Sequence, residues 1–259
     1  MMPPNISFAG AGRVASALCK RISEKGFKID LVVSLSKERG RRLADECNTA
    51  WSDDLSYPAS TDIVIVAVPD HSLGAVLEKI RCRPGTLVVH TAGSFGIDIF
   101  PGQIHHKGVF YPLQTFSEGR DVDFNDLPFL LESSDLKSSD ILTYLATAIG
   151  GKSFFLNTDQ RILVHLAAVF ICNFSNHMLT LGKQISVKAG LPFGIFHPLL
   201  QETISKAIDL GPENSQTGPA VRNDRNTIEK HLELLSFSPE LQQMYREITM
   251  SIIKIHNKS

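Results

Sequence analysis

A chain of 259 residues that is 43% hydrophobic and 20% charged carries enough apolar content to bury one large core or two modest ones. Its formal net charge of -1 argues against nucleic acid or an anionic membrane as the main partner, so any anion site must be local. The four cysteines (Cys19, Cys47, Cys82, Cys172) are scattered, with no CxxC spacing and no His/Cys cluster; that argues against a zinc site or a disulfide frame and fits a reducing cytoplasm.

The first strand is predicted at Ile6–Ala9 and runs straight into Gly10-Ala11-Gly12-Arg13-Val14-Ala15. It starts within a few residues of Met1, which leaves no room for a signal peptide. A helix follows from Arg13 to about Lys25, and a second strand at Ile29–Ser34 closes the unit. Strand, GxGxxA, helix and strand in this order make the dinucleotide-binding fingerprint. Gly10 permits the tight turn, Gly12 lets the backbone approach a pyrophosphate, and Ala15 is small enough for the helix to pack on the strand. The helix N-terminus, with Ala11, Arg13 and Val14 around it, offers N–H groups and a positive dipole end to phosphates. A glycine turn in an ordinary α/β protein is the competing reading.

The end of the second strand bears on which dinucleotide binds. An NAD site places an Asp or Glu there for the ribose 2′-hydroxyl, whereas this strand ends in Ser34, with Ser36, Lys37 and Arg39 close behind. Hydroxyls and cations suit a 2′-phosphate, which a carboxylate would repel, so NADP is expected ahead of NAD. Glu38 lies in the same stretch and keeps a solvated helix start open as the alternative.

Further strands are predicted at Asp62–Val68, Thr86–His90, Gly108–Tyr111 and Phe129–Glu132, several of them continuous Val/Ile/Leu runs. Such runs fit parallel strands buried on both faces, hence an α/β fold with a doubly wound parallel Rossmann sheet. Ligands in such sheets bind beyond the carboxyl ends of the strands, which predicts that His90 and Ser94 face a cofactor crevice. The doublet His105-His106 reads as a solvated turn, and no metal site is expected.

From Asn157 onward the pattern is helix only. Asn157-x-x-Gln160 predicts a capping box opening a long helix to about Ala189, stopped by Gly190 and Pro192. A second helix covers Phe193–Asp209; after a turn-rich loop (Gly211, Pro212, Asn214, Gly218, Pro219), two more are predicted at about Arg222–Leu235 and Pro239–Ile255. The boundary is placed near Gly150-Gly151, giving a dinucleotide-binding domain over 1–151 and an all-helical C-terminal domain over 152–259 for substrate and dimerisation. Within the long helix the apolar stretch Ile162–Phe174, interrupted by His165 and Asn173, reads as a buried helix too short to span a bilayer.

Val66-Ala67-Val68-Pro69-Asp70 and His90-Thr91-Ala92-Gly93-Ser94 resemble the 6-phosphogluconate dehydrogenase-like superfamily, which includes pyrroline-5-carboxylate reductase, ketopantoate reductase and deazaflavin-dependent NADP oxidoreductases. Tyr111-Pro112-Leu113-Gln114-Thr115-Phe116-Ser117, His165-Leu166-Ala167-Ala168-Val169-Phe170, Asn173-Phe174-Ser175-Asn176-His177 and Gln216-Thr217-Gly218-Pro219-Ala220-Val221-Arg222 look more closely like an uncharacterised group. Its members pair a Rossmann-like domain with a helical C-terminal domain of unknown function. The resemblance covers nearly the whole chain. It implies a nicotinamide near Val68, Pro69 and the loop Thr91, Ala92, Gly93, Ser94, with substrate-binding side chains on the long helix. Sugar-acid and hydroxy-acid members carry Lys-x-x-x-Asn early on that helix, where this chain has Arg161-Ile162-Leu163-Val164-His165, so their general-acid lysine is missing.

Arg161 and His165 are four apart and share a helix face. His165 is suited to move a proton near neutrality and Arg161 to clamp a carboxylate; a surface arginine and a core histidine are the plain alternative. Asn176 shares nearly the same face as His165, but eleven residues along a helix separate them by roughly 16 Å, too far for one small substrate. Asn173 reads as packing. Arg222, after the Gly218-Pro219 turn, is placed either to close over a bound anion or to start a helix. An apolar face of Leu163, Ala167, Phe170 and Phe174 predicts a homodimer. Two functions follow: an NADP-dependent oxidoreductase transferring hydride to a C=O or C=N bond of a small anionic substrate, or a non-catalytic NADP-binding sensor or scaffold. Nucleic acid and membrane are not expected partners.

Overall fold

The computed structural model describes residues 3–256, which divide into two compact units, one up to Asn173 and one from Phe174. In the first unit β1 (Ile6–Ala9) leads to α1 (Arg13–Glu24), β2 (Ile29–Val33), α2 (Lys37–Glu46) and β3 (Ala50–Ser52). Then come β4 (Ile63–Val66), α3 (Asp70–Leu77), β5 (Leu87–His90), a 3-10 turn at Ile97–Ile99 and β6 (Lys107–Pro112). The unit continues through β7 (Pro128–Ser133), α4 (Leu136–Ala148), β8 (Lys152–Phe155) and α5 (Thr158–Ala168).

The eight strands form one sheet in the order β3-β2-β1-β4-β5-β6-β7-β8. Its centre follows from the sequence: every residue of β1, β4 and β5 is buried, because helices cover both faces of the sheet. Ile6, Phe8, Ile63 and Ile65 share one core with Leu18 and Ile22 of α1, Leu43 of α2 and Leu142 of α4. Ala9, Val64 and Val66 point the other way, against Leu73 and Leu77 of α3. The strands from β3 to β6 run parallel, as their apolar runs predict.

Two features at the β7–β8 edge of the sheet depart from the predicted elements. β7 pairs antiparallel with β6, because residues 113–127 between them supply no crossover helix to carry the chain back for a parallel return. Beyond Gly150-Gly151 the chain makes an eighth strand, β8, parallel to β7, before any helix begins. That glycine pair is a packed turn: Gly150 has φ +100°, and a Cβ on Gly151 would lie 2.4 Å from the Phe129 ring.

After α5 a π-helical turn (Val169–Phe174) continues into α6 (Ser175–Lys188), so Thr158–Lys188 is a single helical run of 31 residues. Gly190 at φ +73° ends it. In the second unit follow a 3-10 turn (Phe193–Phe196), α7 (His197–Leu210), α8 (Pro212–Ser215), α9 (Arg225–Leu234) and α10 (Pro239–His256). α9 starts three residues later than predicted, because Asp224 caps it through the Thr227 N–H at 3.1 Å; Arg222 therefore sits in the turn before the helix. His231 and Tyr245 join α9 to α10 at 2.8 Å.

The expectation of a buried helix over Ile162–Phe174 does not hold. Leu163 is 65% exposed, Phe170 60% and Ile171 76%, and none of the most apolar window of Thr158–Lys188 is buried. The helical run itself, Thr158–Lys188, has the predicted extent, and by length and composition it is long and apolar enough to cross a membrane. Apolar composition alone does not say whether a face is covered by its own chain.

Candidate functional site

The turn after β1 separates its two glycines by cause. Gly10 has φ +112°, and a Cβ there would stand 2.2 Å from the Ala67 carbonyl oxygen, so the fold itself requires glycine. Gly12 has an ordinary φ of -83°, and nothing lies within 4 Å of a Cβ built on it. The open space above Gly12, and an α1 N-terminus with no side-chain cap and no acid in its first turn, fit the approach of a phosphate to the backbone there. Arg13 is exposed beside the turn, Val14 is half-buried, and Ala11 and Ala15 are buried. Accordingly, Gly10→Ala should cost about 1–3 kcal/mol in urea unfolding. Gly12→Ala should leave stability unchanged and weaken dinucleotide binding, measured by titration of the purified variants.

The end of β2 is prearranged. The Ser36 N–H donates to Ser34 Oγ at 3.2 Å, and Ser36 Oγ accepts from the Arg39 N–H at 3.5 Å and from Arg39 Nε at 3.3 Å, so Ser36 is the cap of α2. Trp51 Nε1 donates to the Ser34 carbonyl at 3.2 Å. Lys37 is exposed at the first turn of α2. A cavity of about 790 Å3 runs from Gly12 and Arg13 past Arg39 and Arg42 to the segment 116–122. Arg39 thus joins Ser34, Ser36 and Lys37 as a group able to meet an anion, through its tie to the Ser36 hydroxyl.

Beyond β4, Val68 is half-buried and Pro69 sits exposed at the N-cap of α3. Beyond β5, Thr91 donates its N–H to the Val66 carbonyl, Ala92 and Gly93 are buried and Ser94 is exposed. His90 does not face a crevice as expected. It is fully buried, stacks on Phe100 at 5.4 Å, accepts the Ala92 N–H at Nδ1 (3.2 Å) and meets the Gly96 carbonyl at Nε2 (3.3 Å). It shapes the loop from beneath.

Burial pushes the His90 imidazole down to about 4 from an ordinary 6.5. The unfolded chain binds a proton there in that interval and the folded protein does not. Stability is therefore full above pH 6.5 and is lost as pH falls toward 4, by at most about 3 kcal/mol. Urea midpoints of the wild type and His90→Gln, compared from neutrality down to about pH 4, should show a flatter acid limb in the variant.

α5 supplies the other wall. Thr158, Arg161 and His165 lie three and four residues apart and share one face. His165 Nδ1 meets the Tyr111 hydroxyl at 2.9 Å, with the rings edge to face at 5.8 Å. Both side chains touch Gly93: a Cβ there would lie 2.6 Å from His165 Nδ1 and 3.1 Å from Tyr111 Cζ. Burial, and then the Asp70 carboxylate, raise the Tyr111 phenol above its ordinary value, so it stays protonated through the neutral range and has a proton to donate. A neutral imidazole accepting at Nδ1 carries its own proton on Nε2.

Arg161 is not available to a substrate. It is fully buried, and its two terminal nitrogens donate to Glu132 Oε2 and to the Phe95 carbonyl. Thr158 Oγ1 donates to the same carboxylate at 3.0 Å. Asn173, Asn176 and His177 are exposed, and so is Arg222, in the second unit. No group of three or more His, Cys, Asp or Glu residues suited to a metal occurs among the described residues. Sequence reasoning missed Tyr111, Glu132 and Asp70 as members of this cluster; the Tyr111-Pro112 signature at the end of β6 was the one available signal.

Fold and site together define a Rossmann-type protein whose cluster of polar groups stands at the carboxyl ends of the sheet strands. Residues 4–114 match the family model "Rossmann-like domain" and residues 127–252 the "Domain of unknown function (DUF2520)". A crystal structure from Bacteroides fragilis, provisionally named an NADP oxidoreductase, is 37% identical with a TM-score of 0.88, covering 97% of this chain and 98% of that one. The chain belongs to that family, which joins a Rossmann-like domain to a DUF2520 domain. Two more distant structures share the fold. One is a reductive aminase from Aspergillus terreus in complex with NADPH and ethyl-5-oxohexanoate (12% identity, TM-score 0.73, covering 98% and 94%). The other is 1-pyrroline-5-carboxylate reductase from Streptococcus pyogenes (15%, 0.63, covering 97% and 99%). No curated protein matches the chain.

Proposed function

We propose that this protein is an NADP-dependent oxidoreductase that reduces a C=O or C=N bond of a small anionic substrate. The observation that carries the reading is the Tyr111–His165 pair set against Gly93, in the same compact unit as the glycine turn. NADPH supplies the hydride when bound. The turn Gly10, Ala11, Gly12, with Arg13 and Val14, receives the pyrophosphate. Ser34, Ser36, Lys37 and Arg39 receive the 2′-phosphate, since no carboxylate ends β2. Val68, Pro69 and the loop Thr91, Ala92, Gly93, Ser94 support the nicotinamide. Tyr111 donates a proton to the substrate oxygen or nitrogen, His165 holds the phenol in place through Nδ1, and the phenolate regains its proton from solvent. Support comes from the family member provisionally named an NADP oxidoreductase and from the aminase fold solved with NADPH.

The protein is proposed to work in the cytoplasm as a homodimer. Leu163, Leu166, Phe170 and Ile171 are exposed apolar side chains on one helix, a contiguous patch of the kind that marks an interaction surface. A bilayer is a poor occupant, because the same helix carries Thr158, Arg161 and His165 docked by hydrogen bonds on the sheet. Sedimentation should show a dimer for the wild type and a monomer for Leu163→Glu/Ile171→Glu; a monomeric wild type contradicts this. For the activity, NADPH oxidation is followed by absorbance against a panel of keto acids, aldehydes and cyclic imines. Turnover with at least one class is the expected result. Retained NADPH binding with no turnover across the panel favours a sensor.

A further inference from the structure

The loop after β5 is gripped by polar groups from two sides, two of which, His90 and Arg161, are fully buried. From beneath, His90 takes the Ala92 N–H and meets the Gly96 carbonyl. From the side comes the Thr158–Arg161–His165 stripe of α5. Glycines at 93 and 96 let it close in: a Cβ on Gly96 would lie 2.3 Å from Thr158 Oγ1, and one on Gly93 lies 2.6 Å from His165 Nδ1. Between these two contacts, Arg161 crosses from the loop carbonyl at Phe95 to Glu132 on β7, and Thr158 Oγ1 fixes the other side of that carboxylate.

A fully buried arginine is a costly way to fill space, because removing its charge from water is repaid only by good geometry, and an apolar residue of similar volume packs as well or better. What it adds is direction: one donor sets the height of the Phe95 carbonyl and the other ties it to the sheet. The loop residues Thr91–Ser94 lie immediately before that carbonyl.

We infer that Arg161 is a positioning residue for the nicotinamide end of the cofactor, holding the Thr91–Ser94 loop in place through the Phe95 carbonyl and Glu132. The inference rests on the proposed role of that loop. It takes Arg161 out of the substrate-binding set and gives it an effect that depends on which half of the cofactor is present.

The test compares two ligands on the full chain: NADPH, and 2′,5′-ADP, which carries the adenosine phosphates and lacks the nicotinamide. In Arg161→Met the dissociation constant for NADPH rises by about tenfold or more, as loss of a charged hydrogen bond implies, while that for 2′,5′-ADP stays within about twofold. Arg161→Lys recovers part of the loss. Thr158→Ala, which loosens the same carboxylate without touching the charge, shows the same split at smaller amplitude and serves if Arg161→Met does not fold. Equal weakening of both ligands, or no weakening of either, overturns the inference. Wild-type protein that binds 2′,5′-ADP as tightly as NADPH overturns instead the reading of the loop as a nicotinamide support, and the inference with it.

Discussion

His165→Ala lowers NADPH-dependent turnover of an accepted substrate by about 100- to 10,000-fold, the usual contribution of a positioned proton donor or acceptor. Tyr111→Phe has an effect of the same order, since it removes the hydroxyl that meets His165 Nδ1 at 2.9 Å. The two losses are not additive: residues that act as one hydrogen-bonded unit give a double variant little worse than either single one. NADPH affinity changes by no more than a few-fold, because neither side chain is assigned to the phosphates. Turnover measured under saturating NADPH for the four proteins of the cycle checks this. Unchanged rates in His165→Ala would remove both residues from the chemistry, and full additivity would separate their roles.

Glu132→Ala destabilises the first unit by about 3–5 kcal/mol, the range for breaking a buried ion pair by removing one partner. Arg161 has no exposure, so its charge would be left without a carboxylate inside the protein, and the Thr158 hydroxyl would lose its acceptor. Glu132→Gln should cost less, because the amide oxygen still accepts from Arg161. Urea unfolding, read by a probe in each unit because two units need not unfold together, measures both. Near-wild-type stability in Glu132→Ala would show that the pair is wetter than its burial implies.

The cofactor half of the fold was legible because its signals are local. Ile6–Ala9, the glycine turn and α1 are contiguous, and β1, β4 and β5 are apolar runs that fit only a strand covered on both faces. β3 (Ala50–Ser52) is too short and too polar to register, and β8 was hidden behind a glycine pair that resembles a linker but serves to pass Phe129. At the site, helical spacing placed Arg161 and His165 on one face, and that held. Their partners were beyond reach, since Glu132, Phe95 and Tyr111 lie 29, 66 and 54 residues away in sequence. A charged residue in the first turn of a helix therefore read as a ligand clamp, when the fold buries it as a tie between loop and strand. The apolar stretch Ile162–Phe174 misled in the opposite sense, because an apolar run has the same composition whether or not its own chain covers it.

Equilibrium titration of the purified protein with NADPH and with NADH tests the central claim most directly. Ser34, Ser36, Lys37 and Arg39 at the end of β2 predict NADPH binding at least about tenfold tighter, one charge-assisted hydrogen bond to the 2′-phosphate being enough for that ratio. Binding of neither nucleotide, or a preference for NADH, would contradict it.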